Sequence, residues 1–243
     1  MRYAVIADIH GNLEAFQAVL SHAEQNGSPD AVLCLGDVVG YGPDPSACVR
    51  LMQDLRGVCV AGNHDLAVAG TVSTGVFNVD AAVAIRWTAS QLSDFEIRYL
   101  GGLQLTIAID RFTLVHGSPR DPVWEYLSSP GQASENLAMF TTPHCLVGHT
   151  HVPVVFRCGQ DATCAKVSYD ESSLMLGTDR VVINPGSIGQ PRDGDPRASY
   201  AILDVERGVA RNFRVEYDVA LTQGKMLKAG LPDRLIRRLS FGR

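Results

Sequence analysis

No apolar run in the 243-residue chain approaches the roughly 20 residues that span a bilayer, so the sequence offers no candidate membrane helix. Nor does it open on a basic segment followed by a cleavable apolar core, because Met1-Arg2 leads straight into the strand-like run Tyr3 to Ala7. The default expectation is a soluble cytoplasmic protein. Positive charge is in short supply, with 21 Lys and Arg against 26 Asp and Glu. A formal charge of −5 argues against a surface that neutralises long stretches of nucleic-acid backbone. Close Cys-x-x-Cys pairs are missing too, which removes the usual frame of a structural zinc site. Cys34, Cys59 and Cys145 fall within apolar strand-like runs and Cys48 fits the apolar face of a helix, so all four read as buried thiols. Cys158 and Cys164 bracket a hairpin-like segment, and by the compartment rule neither a disulfide nor zinc is expected there.

The 46% hydrophobic content is enough for a substantial core, and residues 1–243 are expected to form a single domain. The first half reads as βα units. Strand-like Tyr3 to Ala7 precedes a helix whose Leu13, Phe16, Val19, Leu20 and Ala23 recur at helical spacing and which stops at Gly27. Ala31 to Leu35, the Gly40 to Pro45 loop and a helix carrying Cys48, Val49, Met52 and Leu55 make a second unit, and Val58 to Ala61 a third strand. An insert at about residues 66–101 breaks this rhythm with helices over Val79 to Gln91 and Asp94 to Leu100, placed to cap a crevice. Strands then dominate: Leu103 to Ile109, Phe112 to Val115, Cys145 to Val147, Val154 to Cys158, Val181 to Ile183, Ser199 to Leu203 and Val209 to Val215, with turns at Asp110-Arg111 and Arg207-Gly208. The tail at about residues 219–243 is predicted helical in two pieces split by Gly230-Leu231-Pro232. Its Arg234, Arg237, Arg238 and Arg243 read as a solvated helix face. The pattern predicts an α/β fold with a mixed sheet, or two sheets face to face, and helices outside.

The chain has seven histidines, and five of them sit in short motifs with carboxylates and glycine: Asp8-Ile9-His10, Gly62-Asn63-His64-Asp65, His116-Gly117 and Gly148-His149-Thr150-His151, to which Gly36-Asp37 adds a further carboxylate. Each motif follows a strand-like run, so in a sheet they fall past the carboxyl ends of the strands, where α/β folds leave a crevice. His22 and His144 match none of these motifs and read as structural.

Taken in order, the motifs resemble those of the calcineurin-like metallophosphoesterases. The resemblance runs from Asp8 to His151 and continues through Ile183-Asn184-Pro185-Gly186-Ser187, a segment similar to that of the small bacterial phosphodiesterase and phosphatase branch. It implies a four-layer sandwich of two packed mixed β-sheets flanked by helices. It also implies two divalent metal ions, Mn²⁺, Fe or Zn²⁺, one held by Asp8, His10, Asp37 and His151 and the other by Asp37, Asn63, His116 and His149. His64 corresponds to the family's non-ligand histidine, expected to stabilise charge or protonate the leaving oxygen, while capping or packing is its bland alternative. The implied activity is hydrolysis of phosphate monoesters or diesters on a small phosphorylated substrate through a metal-bridging hydroxide. One departure narrows the match. After Gly36-Asp37 the chain reads Val38-Val39-Gly40-Tyr41-Gly42 and lacks the Asp-Arg-Gly of protein Ser/Thr phosphatases and symmetrical diadenosine tetraphosphate hydrolases.

The donor set supports the resemblance on independent grounds, since oxygen and imidazole without thiolate suit Mn²⁺, Fe or Zn²⁺. With only Asp8 and Asp37 anionic, a pair of divalent ions keeps positive charge for a hydroxide and a phosphoryl group. Arg192, beyond Asn184 to Pro191, and Arg120, in Gly117-Ser118-Pro119-Arg120, are candidate phosphate contacts, and the main-chain N–H groups of residues 184–192 either face a phosphate or make an ordinary tight turn. Tyr41 either lines the pocket or plugs it, and Asp65 either orients His64 or caps the next segment. A non-catalytic interaction scaffold on the same fold and a metal-dependent nuclease are the rival functions.

Overall fold

Alternation of side chains along the first strand decides how the layers stack. In the computed structural model, which describes every residue except Arg56, β1 (Arg2–Ile6) turns Tyr3 and Val5 to one face and Ala4 and Ile6 to the other, all of them buried. A strand buried on both sides needs a layer against each face. The Tyr3 face meets Phe112, Leu114, Leu146, Val181 and Ile183 of a second sheet, while the Ala4 face meets Phe16, Val19, Val49 and Met52 of helices.

The chain builds these layers in order. α1 (Leu13–Gln25), β2 (Ala31–Cys34), α2 (Pro45–Asp54), β3 (Gly57–Cys59) and α3 (Asn63–Val68) complete the βα half, followed by α4 (Val79–Gln91) and α5 (Asp94–Gly101). Then come β4 (Thr106–Ile109), β5 (Phe112–Val115), α6 (Pro130–Asn136), β6 (His144–Leu146), β7 (Val154–Cys158), β8 (Cys164–Val167), β9 (Leu174–Met175) and β10 (Arg180–Asn184). β11 (Ala198–Asp204), β12 (Val209–Val215), α7 (Val219–Lys228) and α8 (Asp233–Arg238) close the chain.

The strands form two six-stranded mixed sheets, in the orders β3-β2-β1-β11-β12-β9 and β4-β5-β6-β10-β7-β8. β1, β2 and β3 run parallel, as do β5, β6 and β10. Helices α1, α2 and α5 cover the outer face of the first sheet, and α6 that of the second through Ala133 against Val115, Cys145 and Phe156. This is the four-layer sandwich expected from the sequence. Among the described residues no helix is long and apolar enough to cross a membrane.

Four elements, α3, α6, β8 and β9, escaped the sequence reading. α3 is six residues long and buried throughout, so it has no polar face to give it helical periodicity. α6 was announced by Ser129-Pro130-Gly131-Gln132, a capping box in which Gln132 Oε1 accepts from Ser129 N at 3.1 Å. β8 and β9 are short pieces at the edges of the sheets.

The cysteine expectation needs one correction. Cys34, Cys48, Cys59 and Cys145 are buried free thiols, but Cys158 and Cys164 form a disulfide. Their residues stand directly opposite each other across the antiparallel β7–β8 pair with Cα atoms 4.0 Å apart. Strand register supplied that proximity, and a compartment rule carries no information about register.

Glu96 ties the second and fifth helices together. Its carboxylate accepts from Ser46 Oγ at 2.6 Å, Arg50 Nε at 3.0 Å and Ser93 N at 2.8 Å. Burial pushes Glu96 upward, but the hydrogen bonds from Ser46, Ser93 and Arg50 outweigh it and hold the group at about 2. A depressed carboxylate stabilises the fold above its unfolded value of 4.5, and that stabilisation drains away as the pH falls toward 2. Glu96→Gln is therefore expected to cost on the order of 2 kcal/mol in urea titrations at neutral pH, with the gap to wild type narrowing between about pH 5 and pH 3. A gap that stays constant over that interval would count against this linkage.

Candidate metal centre

Parallel strands deliver their following loops to one edge of the sandwich, and every motif residue arrives that way. β1 leads to Asp8 and His10, β2 to Asp37, β3 to Asn63 and His64 at the start of α3, β5 to His116, and β6 to His149 and His151. All eight side chains are buried. The backbone at this edge is unusual. Asp8, His10, Asp37, Tyr41, His149 and His151 all take the left-handed region, with φ between 50° and 65°. Each such non-glycine residue costs of order 1–3 kcal/mol, and concentration of that strain in one place is typical of a functional site. Cross-loop hydrogen bonds hold it: Asp8 N donates to Gly36 O at 3.0 Å, His10 N to Asp37 O at 2.9 Å and Gly148 N to His116 O at 2.8 Å.

Each carboxylate is held by one oxygen and leaves the other free. His149 N donates to Asp8 Oδ2 at 3.2 Å and His64 N to Asp37 Oδ1 at 2.9 Å, while Asp8 Oδ1 and Asp37 Oδ2 are buried without a hydrogen-bond partner. The histidines show the same division. His10, His116 and His151 turn Nδ1 to the main-chain oxygens of Val39, Leu35 and Gln190, at 3.1, 2.8 and 2.6 Å. That choice puts the proton on Nδ1 and points the Nε2 lone pair into the site.

Two sets of lone pairs result. Asp8 Oδ1 lies 3.3 Å from His151 Nε2, which is 3.1 Å from His10 Nε2. On the other side His116 Nε2 is 3.1 Å from Asn63 Oδ1 and from His149 Nδ1. Asp37 Oδ2 stands between them, 3.6 Å from His10 Nε2 and 3.4 Å from His116 Nε2. The triads Asp8–His10–His151 and Asp37–His116–His149 each bring their ligand atoms within 4.8 Å of one another, and a third, His10–Asp37–His64, overlaps both. Unpartnered oxygens and nitrogen lone pairs aimed at common points are what a cation satisfies, so the residues present fit a pair of metal ions.

Burial and the neighbouring Asp37 push Asp8 well above the usual carboxylate range, and burial does the same to Asp37. Among the described residues neither carboxylate has a lysine or arginine ion pair. Burial also lowers His10, His64, His116 and His151, so the imidazoles are neutral and available as ligands. Gly62 is required by close approach, since a Cβ there would lie 2.0 Å from Asp37 Oδ1.

A cavity of about 220 Å³ opens onto this cluster, lined by Asp37, Asn63, His64, His149, Tyr41 and Arg192 together with Phe77, Trp124 and Tyr126. Tyr41 packs its ring 4.4 Å from that of His64, and so lines the cavity rather than sealing it. Arg192 donates from Nη2 to Gln190 Oε1 at 3.0 Å and lies over the Tyr41 ring. His64 leaves Nδ1 buried and without a partner. Phe77, from the 66–101 insert, meets His64 on one side and Trp124 on the other, at 5.0 and 5.3 Å between ring centroids.

Other candidates are placed differently. Arg120 points away from the lining, with its guanidinium on Glu125 and Glu135. Asp65 caps, accepting from Gly62 N at 3.0 Å and Val39 N at 3.2 Å, and does not touch His64. The N–H groups of residues 188–192 do not face a phosphate: Ile188 and Gly189 donate to Ala7 O and Asp8 O, Gln190 to Ser187 Oγ, and Arg192 to His151 O. The segment is a brace. Its Asn184 Nδ2 donates to Gly148 O at 2.7 Å and Thr150 Oγ1 at 3.0 Å, and Ser187 Oγ to Asp8 O at 2.9 Å. Asn184 and Ser187 fall in the segment that carried the resemblance, though not with this role, and the aromatics Phe77, Trp124 and Tyr126 carry no motif that sequence reading detects. His22 bonds to Tyr200 and His144 packs on Phe112, both outside the cluster.

Comparison with known proteins agrees with this geometry. A sequence model of the calcineurin-like phosphoesterase superfamily domain matches residues 1–208. The chain is 38% identical to the uncharacterized protein MJ0912 of Methanocaldococcus jannaschii, over 99% of this chain and 98% of that one. It is 29% identical to the phosphodiesterase YfcE of Escherichia coli, over 84% and 88% of the two chains. The crystal structure of a metallophosphoesterase from Sphaerobacter thermophilus superimposes with a TM-score of 0.89 at 44% identity, covering 100% of this chain and 99% of that one. The chain belongs to the calcineurin-like phosphoesterase superfamily.

Proposed function

We propose that the protein is a binuclear metal-dependent phosphoesterase that hydrolyses a monoester or diester of a small phosphorylated compound. The observation that carries this reading is Asp37 Oδ2, a buried oxygen without a hydrogen-bond partner, standing between two sets of ligand atoms. Asp8, His10, Asp37 and His151 would hold one divalent ion, and Asp37, Asn63, His116 and His149 the other, with Mn²⁺, Fe or Zn²⁺ suited to the donor set. When bound, the ions would lower the pKa of a water toward neutrality and neutralise phosphoryl oxygens.

The chain's own residues do the rest. Val39, Leu35 and Gln190 carbonyls fix the imidazole tautomers, and His149 N and His64 N orient the two carboxylates. Arg192 supplies a forked donor for a non-bridging phosphoryl oxygen. His64 places a ring nitrogen in the cavity, where its N–H donates to the leaving oxygen as charge accumulates there. Phe77, Trp124 and Tyr126 wall the cavity and limit water around the reacting group.

Mn²⁺-loaded protein is expected to hydrolyse bis(4-nitrophenyl) phosphate. His64→Ala should lower kcat by about 10²–10⁴-fold while elemental analysis still finds two ions per chain, and Asp37→Asn and His149→Ala should lose both activity and metal. No turnover with Mn²⁺, Fe or Zn²⁺, or full activity in Asp37→Asn, would refute the proposal. Gly62→Ala tests the centre without removing a ligand. Its added Cβ displaces Asp37, so bound metal should fall below two ions while circular dichroism stays native. Retention of both ions in that variant would show that Asp37 is not the shared ligand.

A further inference from the structure

Arg234, Arg237 and Arg243 of the tail are exposed, as a solvated face requires, whereas Arg238 is half-buried. Leu235 and Ile236 of α8 and Leu239 just after it are buried in a cluster with Tyr41, with Ala81 and Ala84 of α4, and with Met226 of α7. This docking lays α8 across the mouth of the crevice. Arg234 and Arg238, one helical turn apart, then line an outer cavity of about 640 Å³ together with Arg243 and Arg192. Arg237 lies apart, paired with Asp233 at 2.8 Å.

The outer cavity adjoins the inner one, with Tyr41, Asn78, Tyr126 and Arg192 lining both. Its charge is unbalanced. Against the arginines the lining offers one acidic side chain among the described residues, Asp80. Among the described residues Arg192 and Arg234 have no ion pair, and Arg238 donates from Nε to the main-chain oxygen of Arg243. Burial, with Arg192 and Arg234 adding like charge, pulls Arg238 down to about 10, so the group stays cationic at neutral pH. A chain of net charge −5 that gathers Arg192, Arg234, Arg238 and Arg243 at one concave mouth presents a site for an anion, and arginine forks match phosphate.

We infer that α8 adds an outer phosphate subsite, so that the substrate carries at least two phosphoryl groups: one at the metal centre and a second held by Arg234 and Arg238. The inference rests on the phosphoesterase reading above. It assigns the tail a role in selecting bis-phosphorylated small molecules over those with a single phosphate.

Isothermal titration calorimetry on Mn²⁺-loaded protein tests it with propylphosphonate and a series of alkane-α,ω-bisphosphonates of three to six carbons, whose C–P bonds resist hydrolysis. The best bisphosphonate should bind at least about tenfold more tightly than propylphosphonate. Arg234→Ala/Arg238→Ala should bring the two affinities to within about twofold, and Arg234→Ala alone, an exposed site, should remove part of the advantage. Arg237→Ala should leave the ratio unchanged. No bisphosphonate advantage in wild type, or an undiminished one in the Arg234→Ala variants, overturns the outer subsite. Should propylphosphonate fail to bind while bisphosphonates still require Arg234 and Arg238, the metal-centre reading falls and the subsite stands.

Discussion

Two carboxylates buried side by side, with no lysine or arginine ion pair among the described residues, are the constraint around which the molecule is organised. Asp8 and Asp37 each spend one oxygen on a main-chain N–H and leave the other unpaired in the interior. Removing an unpaired charge from water costs several kcal/mol, and a second like charge nearby raises the cost. The surrounding imidazoles do not relieve it, because burial keeps them neutral. A fold that retains such a site needs a cation to complete it and a scaffold rigid enough to hold it. The left-handed backbone at Asp8, His10, Asp37, His149 and His151 is the local expression of that demand.

The scaffold meets the demand by layering. Alternation along β1 buries Tyr3 and Val5 between the sheets and Ala4 and Ile6 beneath the helices, so the strand end carrying Asp8 is clamped on both faces. The 184–192 segment then braces the loops from behind, with Asn184 on the Gly148–Thr150 turn and Ser187 on Asp8. Expected as a phosphate cradle, it positions the ligand loops instead. Its Ile188 and Gly189 N–H groups go to the loop that follows β1 and that of Arg192 to His151, because β10 enters the second sheet beside β6, the strand that delivers His149 and His151.

The tail belongs to a different level of organisation. The superfamily domain match ends at residue 208, before α7 and α8, yet the similarity to the Sphaerobacter thermophilus and Methanocaldococcus jannaschii proteins runs essentially full length. The metal-facing loops lie inside the shared domain, and the arginine-lined mouth takes its cationic helix from outside it. On the proposed reading, chemistry and selection of the substrate fall to separate parts of the chain.

Much of this was legible in the chain itself. Strand-like runs ending in Asp8-x-His10, Gly36-Asp37, Asn63-His64, His116 and His149-x-His151 pointed to one crevice, because apolar runs of that length are read locally and parallel strands share an edge. Side-chain destinations were not legible. Arg120 lies on Glu125 and Glu135 while Arg192 enters the cavity, although both are arginines in glycine- and proline-rich loops. Cys158 and Cys164 pair because of β7–β8 register, and Arg234 and Arg238 face the crevice because Leu235, Ile236 and Leu239 dock beside Tyr41. The amino-acid sequence determined the elements and the chemical character of the centre, since both follow from neighbours along the chain. Tertiary structure decided which polar groups brace, which line the cavity and which pair elsewhere, since those outcomes depend on side-chain contacts that local pattern does not encode, some of them between residues far apart in the chain, such as Thr222 with Asn12.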